Sequence, residues 1–381
     1  MSEPGKLALR VAIAHDWLTG MYGAEQVVEQ LLELFSPTPD LYTFHANHAR
    51  LPAHLRAPIR RESRLAALPG LRERGASDGR WRRLLPLMPR FFESLDLRGY
   101  ELLISSSHAC AAGARAPAGV PHLVYCYTPM RYAWLPDAER GGFSTLEALG
   151  MRALRGRMRA WDLRTSARPS AYVAISSAVA ERIERFYGRQ AQVIHPPVAT
   201  GSFAGPGTHD PTRFLWVGRF VAYKRPLEVV EAFARLPQLH LTMVGDGPLR
   251  VAVADHIERH GLTNVQLRDW LEPAQLVALC RASGAFVHLG EEDFGIAMVE
   301  AQSAGLPVLA PAAGGALDIV DQDSGVLLPA DFSLADVASA AIAIAERDWD
   351  RAAISAGAER FSPERFREQI TQLVSVMVSE Q

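Results

Sequence analysis

Along almost the whole chain, short apolar runs alternate with stretches whose apolar residues fall at helical spacing. In the first half, Leu9–Ala14, Leu102–Ser105, Leu123–Cys126, Ala171–Ile175 and Val193–Ile194 predict buried strands. Ala24–Phe35, Leu146–Arg168 and Ser177–Tyr187 predict helices, and Gly20–Gly23 a glycine loop. Residues 46–99, rich in Arg and Pro, carry no clear period. Gly and Pro punctuate residues 199–212, which predicts a linker. The alternation then restarts, with strands predicted at Phe214–Val217, Leu239–Val244, Val265–Leu267, Ala285–His288, Val308–Ala310 and Val326–Leu328. Helices are predicted at Pro226–Arg235, Leu249–His260 and Ile296–Ala304.

Strands alternating with helices imply parallel sheets covered by helices. The 381 residues suggest two such domains, with ligands at the carboxyl ends of the strands and in the cleft between the domains. The boundaries read as residues 1–198, a linker at 199–212, a second domain at 213–362 and a final helical segment at 363–381.

Composition narrows the class. Hydrophobic content of 48% supports real cores. Three scattered cysteines (Cys110, Cys126, Cys280) imply neither a disulfide framework nor a metal knuckle, and a reducing cytoplasm fits. No run approaches a membrane span. The net charge of −2 conceals an asymmetry: residues 1–200 carry 26 Lys and Arg against 18 Asp and Glu, and residues 201–381 carry 14 against 24. The basic first half suggests an anionic partner, such as the inner face of a membrane or a lipid-pyrophosphate acceptor. Arg152–Arg168, interleaved with Met151, Leu154, Met158, Trp161 and Leu163, is the candidate contact, against the simpler reading of a helix packed on its own domain. No nucleic-acid module appears.

Glu292 and Glu300 carry the strongest chemical signal. Gly295 breaks the chain just after Glu292, and Glu300 falls inside the following apolar helix, where an unpaired carboxylate is costly. A helix N-terminus favours an anion, so phosphate at this start, ribose hydroxyls on Glu300 and a sugar on Glu292 form one consistent site. Other polar groups fall just after predicted strands: Gly218-Arg219 with Lys224, Gly245-Asp246-Gly247-Pro248, and Asp269-Trp270. Arg outnumbers Lys 38 to two, and Lys224 is the sole lysine beyond the leading tail. Two cations, a glycine turn and a helix start suit a diphosphate leaving group.

These motifs, with Gly305-Leu-Pro-Val and Gly314-Gly315…Asp318-Ile-Val, resemble the retaining glycosyltransferases of family 4, which have the GT-B fold. His15-Asp16-Trp17-Leu18, Ser105-Ser106-Ser107-His108 and Tyr125-Cys126-Tyr127-Thr128-Pro129-Met130-Arg131-Tyr132 resemble a branch described as mannosyltransferases of surface-polysaccharide assembly. The resemblance implies two Rossmann-like parallel-sheet domains facing across a cleft, with Pro363–Val378 crossing back onto the first. It implies that Arg219 and Lys224 neutralise the donor diphosphate and that Glu292 touches the sugar. Glu300 would hold the ribose. Backbone around Phe294, Gly295 and Ile296, with Gly218 and Gly245, would take phosphate, and Gly23 would approach from the first domain. Base recognition falls near Trp270.

The expected donor is a GDP- or UDP-sugar, GDP-mannose first, and the expected acceptor a glycan or lipid-linked hydroxyl. No metal or other cofactor is expected, since Asp321-Gln-Asp323 and Asp348-Trp-Asp350 lie away from the predicted cleft. Tyr127 stands where relatives usually have His, and Tyr is no base at neutral pH, so either the donor sugar differs or His108 takes part of that role. Tyr22-Gly23 stands where relatives often have two glycines. A sugar-nucleotide epimerase and a non-catalytic sugar-nucleotide-binding protein are the alternatives on the same fold.

Overall fold

The computed structural model describes residues 6–67, 80–135 and 145–379; side chains of 66–67, 80–83 and 145–153 lie outside the description. The chain forms two compact units, one of Met1–Pro197 with Phe366–Gln381, the other of Val198–Arg365.

The first unit holds a parallel sheet of β1 (Val11–Leu18), β2 (Asp40–Ala46), β3 (Ile59–Glu62), β4 (Leu102–Ser107), β5 (His122–Cys126), β6 (Ala171–Ala174) and β7 (Gln192–Val193). Its order is β3-β2-β1-β4-β5-β6-β7, so the chain reverses direction across the sheet between β1 and β4. Every residue of β1, β4 and β5 is buried, as in a parallel sheet covered on both faces. Strand β1 runs four residues beyond the expected Ala14, which places His15, Asp16 and Trp17 inside it. Strands β2 and β3 fall where the sequence showed no strand. Thr43 and His45 in β2, and the exposed Arg60 and Arg61 in β3, interrupt the apolar run that marks a buried strand.

The second unit holds β8 (Asp210–Val217), β9 (His240–Val244), β10 (Val265–Arg268), β11 (Ser283–Val287), β12 (Val308–Pro311) and β13 (Gly325–Leu328), in the parallel order β10-β9-β8-β11-β12-β13. Its core gathers Phe214, Trp216, Phe220, Phe233, Met243, Val287 and Leu309 around the central strands.

Residues 199–212, expected as a linker, are folded into this unit instead. Thr200–Phe203 forms a helical turn that buries Phe203, and β8 begins at Asp210. A phenylalanine at the turn's end supplies the apolar anchor that a free linker lacks. Helix Pro363–Ser379 ends the described chain. From Phe366 onward it belongs to the first unit, where Phe366 packs edge-on against Tyr125 at 5.6 Å and Arg367 donates to Gln30 at 2.8 Å.

Helix Thr145–Ser166 answers the membrane reading. Met158 and Trp161 are buried in the unit's own core and Leu154 packs against it. Arg159 donates to the Ala133 carbonyl at 2.8 Å and lies over Trp134. Leu163 is exposed, and the side chains of Met151 and Arg152 lie outside the description. Met158, Trp161 and Leu154 thus serve the unit's own packing. No helix among the described residues is long and apolar enough to cross a membrane.

Candidate active site

In the second unit the loops at the carboxyl ends of β8 and β11 meet. These strands flank the switch point of the sheet, where open α/β sheets bind ligands. After β8 comes Gly218, then exposed Arg219, then a 3-10 turn Ala222–Lys224. Arg225 follows with φ of +51°, a left-handed conformation that is strained for Arg, and Pro226 starts the next helix. After β11 come buried His288, Gly290 and Glu292. A Cβ on Gly290 would sit 2.5 Å from the Tyr223 carbonyl and 2.8 Å from Lys224 Cα, so only glycine lets the two loops touch.

That contact brings the charges together. Lys224 Nζ lies 2.6 Å from Glu292 Oε1, both side chains mostly buried. His288 Nε2 lies 3.4 Å from the same oxygen. Burial pushes the His288 imidazole down to about 4, with Lys224 adding to the effect and Glu292 opposing it. His288 is therefore neutral at physiological pH, and Lys224 supplies the positive charge beside Glu292. Gly295, at φ of +111°, caps helix Ile296–Ser303, whose N-terminus follows directly. No side chain caps it, so its first N–H groups stay available to a ligand.

Glu300 lies on that helix. Burial pushes its carboxyl up to about 7, and it makes no hydrogen bond or ion pair with another described residue. A desolvated carboxyl without a protein partner is what a ligand hydroxyl would complete. Gly245 abuts Gly218, a Cβ there meeting the Gly218 carbonyl at 2.0 Å. Arg250 donates to the Gly245 carbonyl and pairs with Asp269 at 2.7 Å, which ties the loops after β9 and β10 together.

The structure thus brings Lys224, Glu292 and Gly218 together, with Gly295 and Ile296 on the same loop after β11. Arg219 is exposed, and its carbonyl accepts the Val221 N–H at 2.9 Å. Trp270 is 56% exposed on the loop after β10, and no described contact ties it to Lys224 or Glu292. The Phe294 side chain is buried against Phe361 at 5.5 Å, so it anchors the loop.

In the first unit, Gly23 opens helix Gly23–Glu33. The Tyr127 hydroxyl is buried, donating to the Ala24 carbonyl at 3.1 Å and 2.8 Å from Ser106 Oγ. Burial raises its phenol well above the usual value, which removes it as a proton acceptor. Tyr127 thus stays protonated and ties Ala24 to Ser106. His108 is the more open member, with Nδ1 3.5 Å from Asp16 Oδ2 and its ring edge-on to Trp17 at 4.4 Å.

Asp16 is fully buried. It accepts from the backbone N–H groups of His108, Ala109, Cys110 and Ala111 at 2.7–2.9 Å, and from Ser107 Oγ at 3.1 Å. It is the keystone of the loop after β4.

His288 and Glu25 were missed from sequence. His288 was visible as the polar end of an apolar strand. Glu25 falls on the same helical face as buried Val28 and Leu32, an acid on an apolar stripe. The two short acidic pairs have structural duties: Asp321 Oδ1 accepts from Ser324 Oγ at 2.7 Å in a turn, and Asp350 caps a helix through the Ala353 N–H.

Residues 21–201 match the family described as Glycosyltransferase Family 4, and residues 202–361 match Glycosyl transferases group 1. The chain belongs to these glycosyltransferases. It is 32% identical over 127 residues to O-antigen chain mannosyltransferase C of Escherichia coli, covering 32% of this chain and 34% of that protein. It is 30% identical over 233 residues to D-inositol 3-phosphate glycosyltransferase of Xylanimonas cellulosilytica, covering 51% and 53%. It is 38% identical over 131 residues to GDP-mannose:cellobiosyl-diphosphopolyprenol alpha-mannosyltransferase of Xanthomonas campestris, covering 31% and 34%. The matches span about a third to a half of these relatives' own lengths.

Among solved structures, sucrose-phosphate synthase from Thermosynechococcus elongatus aligns over 98% of this chain and 100% of that one, with TM-score 0.72 and 18% identity. Anabaena HepE in complex with UDP and glucose aligns over 96% and 99%, with TM-score 0.67 and 17% identity. The fold of this glycosyltransferase is GT-B.

Proposed function

We propose that this glycosyltransferase moves a hexose, mannose from GDP-mannose, onto a hydroxyl of a lipid-linked or polysaccharide acceptor, with retention of configuration and without a metal. The observation that carries the reading is the Lys224–Glu292 pair at 2.6 Å beside the open N-terminus of helix Ile296–Ser303. A diphosphate placed there meets a mobile cation and backbone N–H donors. As the sugar–phosphate bond breaks, Lys224 and the helix dipole stabilise the charge on the departing oxygen. The acceptor hydroxyl attacks on the leaving-group face, and the departing diphosphate oxygen takes its proton. Glu300 accepts hydrogen bonds from the ribose, and Glu292 orients the sugar.

Mannose and GDP rest on two relatives' names, one a mannosyltransferase of O-antigen chains and one using GDP-mannose on a diphosphopolyprenol acceptor. The HepE complex with UDP favours a uridine donor as the second reading. A thermal-shift panel of GDP-, UDP-, dTDP- and ADP-sugars separates them, because a ligand that binds only the folded state raises the melting temperature. GDP-mannose is expected to stabilise the wild type and not Glu300→Ala. Stabilisation by UDP-sugars alone would move the donor to the second reading. The anomeric configuration of the product, read by NMR, tests retention. Added EDTA is expected to leave turnover unchanged; turnover that vanishes and returns with a divalent ion would end the metal-free mechanism.

Glu300 also predicts a pH dependence. Its folded pKa of about 7 lies above its unfolded value, so its share of the free protein's stability is present below the unfolded pKa. That share is lost as pH rises through about 7. Ribose hydroxyls donate to the charged carboxylate, so donor binding releases a proton at lower pH and tightens as pH rises through about 7. Calorimetric titrations between pH 5.5 and 8.5 should show this trend, and Glu300→Gln should flatten it. A flat wild-type profile would exclude Glu300 from donor contact.

A further inference from the structure

Loop Thr19–Tyr22 leaves β1 and enters helix Gly23–Glu33. It stands at the switch point between β1 and β4, the ligand-facing position of an open parallel sheet. Its outer residues Met21 and Tyr22 are exposed, and no side chain caps the helix. Beneath it, Glu25 is only 3% exposed, and its Oε1 accepts the Thr19 N–H at 3.2 Å.

Burial raises the Glu25 carboxyl to about 7, against the pull of backbone N–H groups of Thr19, Gly20 and Tyr22. The fold alone does not call for an acid here. Glu25 shares its helical face with Val28 and Leu32, and an apolar residue would fill that space without the desolvation cost. A second tie fixes the helix start: the Tyr127 hydroxyl donates to the Ala24 carbonyl and meets Ser106 Oγ, which lies 3.0 Å from His15 Nδ1. The loop is thus joined through buried polar groups to the ends of β1, β4 and β5.

We propose that Glu25 is a positioning residue that holds loop Thr19–Gly23 from below in the conformation used for sugar transfer. The inference rests on the glycosyltransferase reading for its kinetic consequence, but not for its structural one. Glu25 touches no substrate and acts through the loop backbone. A loop released by about an ångström can cost about 100-fold in rate.

The test compares Glu25→Ala and Glu25→Gln with the wild type. Gln keeps an oxygen for the Thr19 N–H, and Ala does not. Glu25→Ala is expected to lower kcat/KM for the nucleotide sugar about 10- to 100-fold while the melting temperature stays within a few degrees. Glu25→Gln should recover to within about threefold. Hydrogen exchange at the Thr19 amide gives a readout independent of turnover: protection should fall in Glu25→Ala and persist in Glu25→Gln. Unchanged Thr19 protection in Glu25→Ala would overturn the proposal. So would a large loss of melting temperature with normal kinetic constants in the folded fraction, which marks a purely structural residue. Failure of the wild type to transfer from any nucleotide sugar would instead sink the functional reading, and the exchange result would still decide the role of Glu25.

Discussion

Lys224→Ala is expected to lower kcat by on the order of 10²- to 10³-fold, the loss seen when a single donor is removed from a site of developing negative charge. The other lysine, Lys6, lies in the leading tail, and exposed Arg219 has no described contact with the pair. Removing Nζ also leaves Glu292 facing His288 without its ion pair. The His288 imidazole should then titrate above its present value of about 4, because the cation that helps depress it is gone. Lys224→Arg is expected to rescue little. A planar fork is bulkier than an ammonium, and a Cβ position on Gly218 already lies 3.3 Å from Lys224 Nζ. Steady-state kinetics with saturating donor decide the point. Turnover within about threefold of wild type in Lys224→Ala would remove this residue from the chemistry.

The second large effect falls on folding. Asp16→Ala removes the acceptor of four backbone N–H groups and the Ser107 hydroxyl, all packed around a fully buried site. An unsatisfied buried donor costs about 1–3 kcal/mol, so the summed loss is at least about 4 kcal/mol, comparable with the whole stability of an ordinary domain. The expected outcome is a first unit that does not accumulate folded. Asp16→Asn supplies the graded test. It keeps one acceptor oxygen and turns an amide against N–H donors, and should cost about 2–3 kcal/mol. Hydrogen exchange at Cys110 and Ala111 reports this loop directly. Native protection there in Asp16→Asn, with an unchanged unfolding midpoint, would show that the backbone finds other partners.

These two residues also mark what could be read along the chain. Both fell inside motifs that stood out: Asp16 in His15-Asp16-Trp17, and Lys224 as the one lysine of the body. Their duties did not follow. Asp16 could have been catalytic, and only five converging donors show it to be structural. Nor did the sequence show that the Tyr127 hydroxyl is tied between the Ala24 carbonyl and Ser106.

The apolar strands of both units were legible because a parallel strand covered on both faces reads as a continuous hydrophobic run. Strands β2 and β3 were not, because their polar residues break that run and pairing with β1 supplies what propensity does not. The helix bearing Glu300 was legible from its small apolar residues and its flanking glycines, Gly295 and Gly305.

By itself, then, the sequence determined the class of fold, the strand ends that carry polar groups, and the residue types a diphosphate needs, since these follow from local periodicity and glycine placement. Tertiary structure decided which of those groups meet. Lys224 and Glu292 touch because Gly290 lets two loops press together, Glu300 is desolvated by its neighbours, and His288 is neutral because burial outweighs the carboxylate beside it. Contact distance and desolvation depend on chain segments far apart in sequence, and no local pattern encodes them.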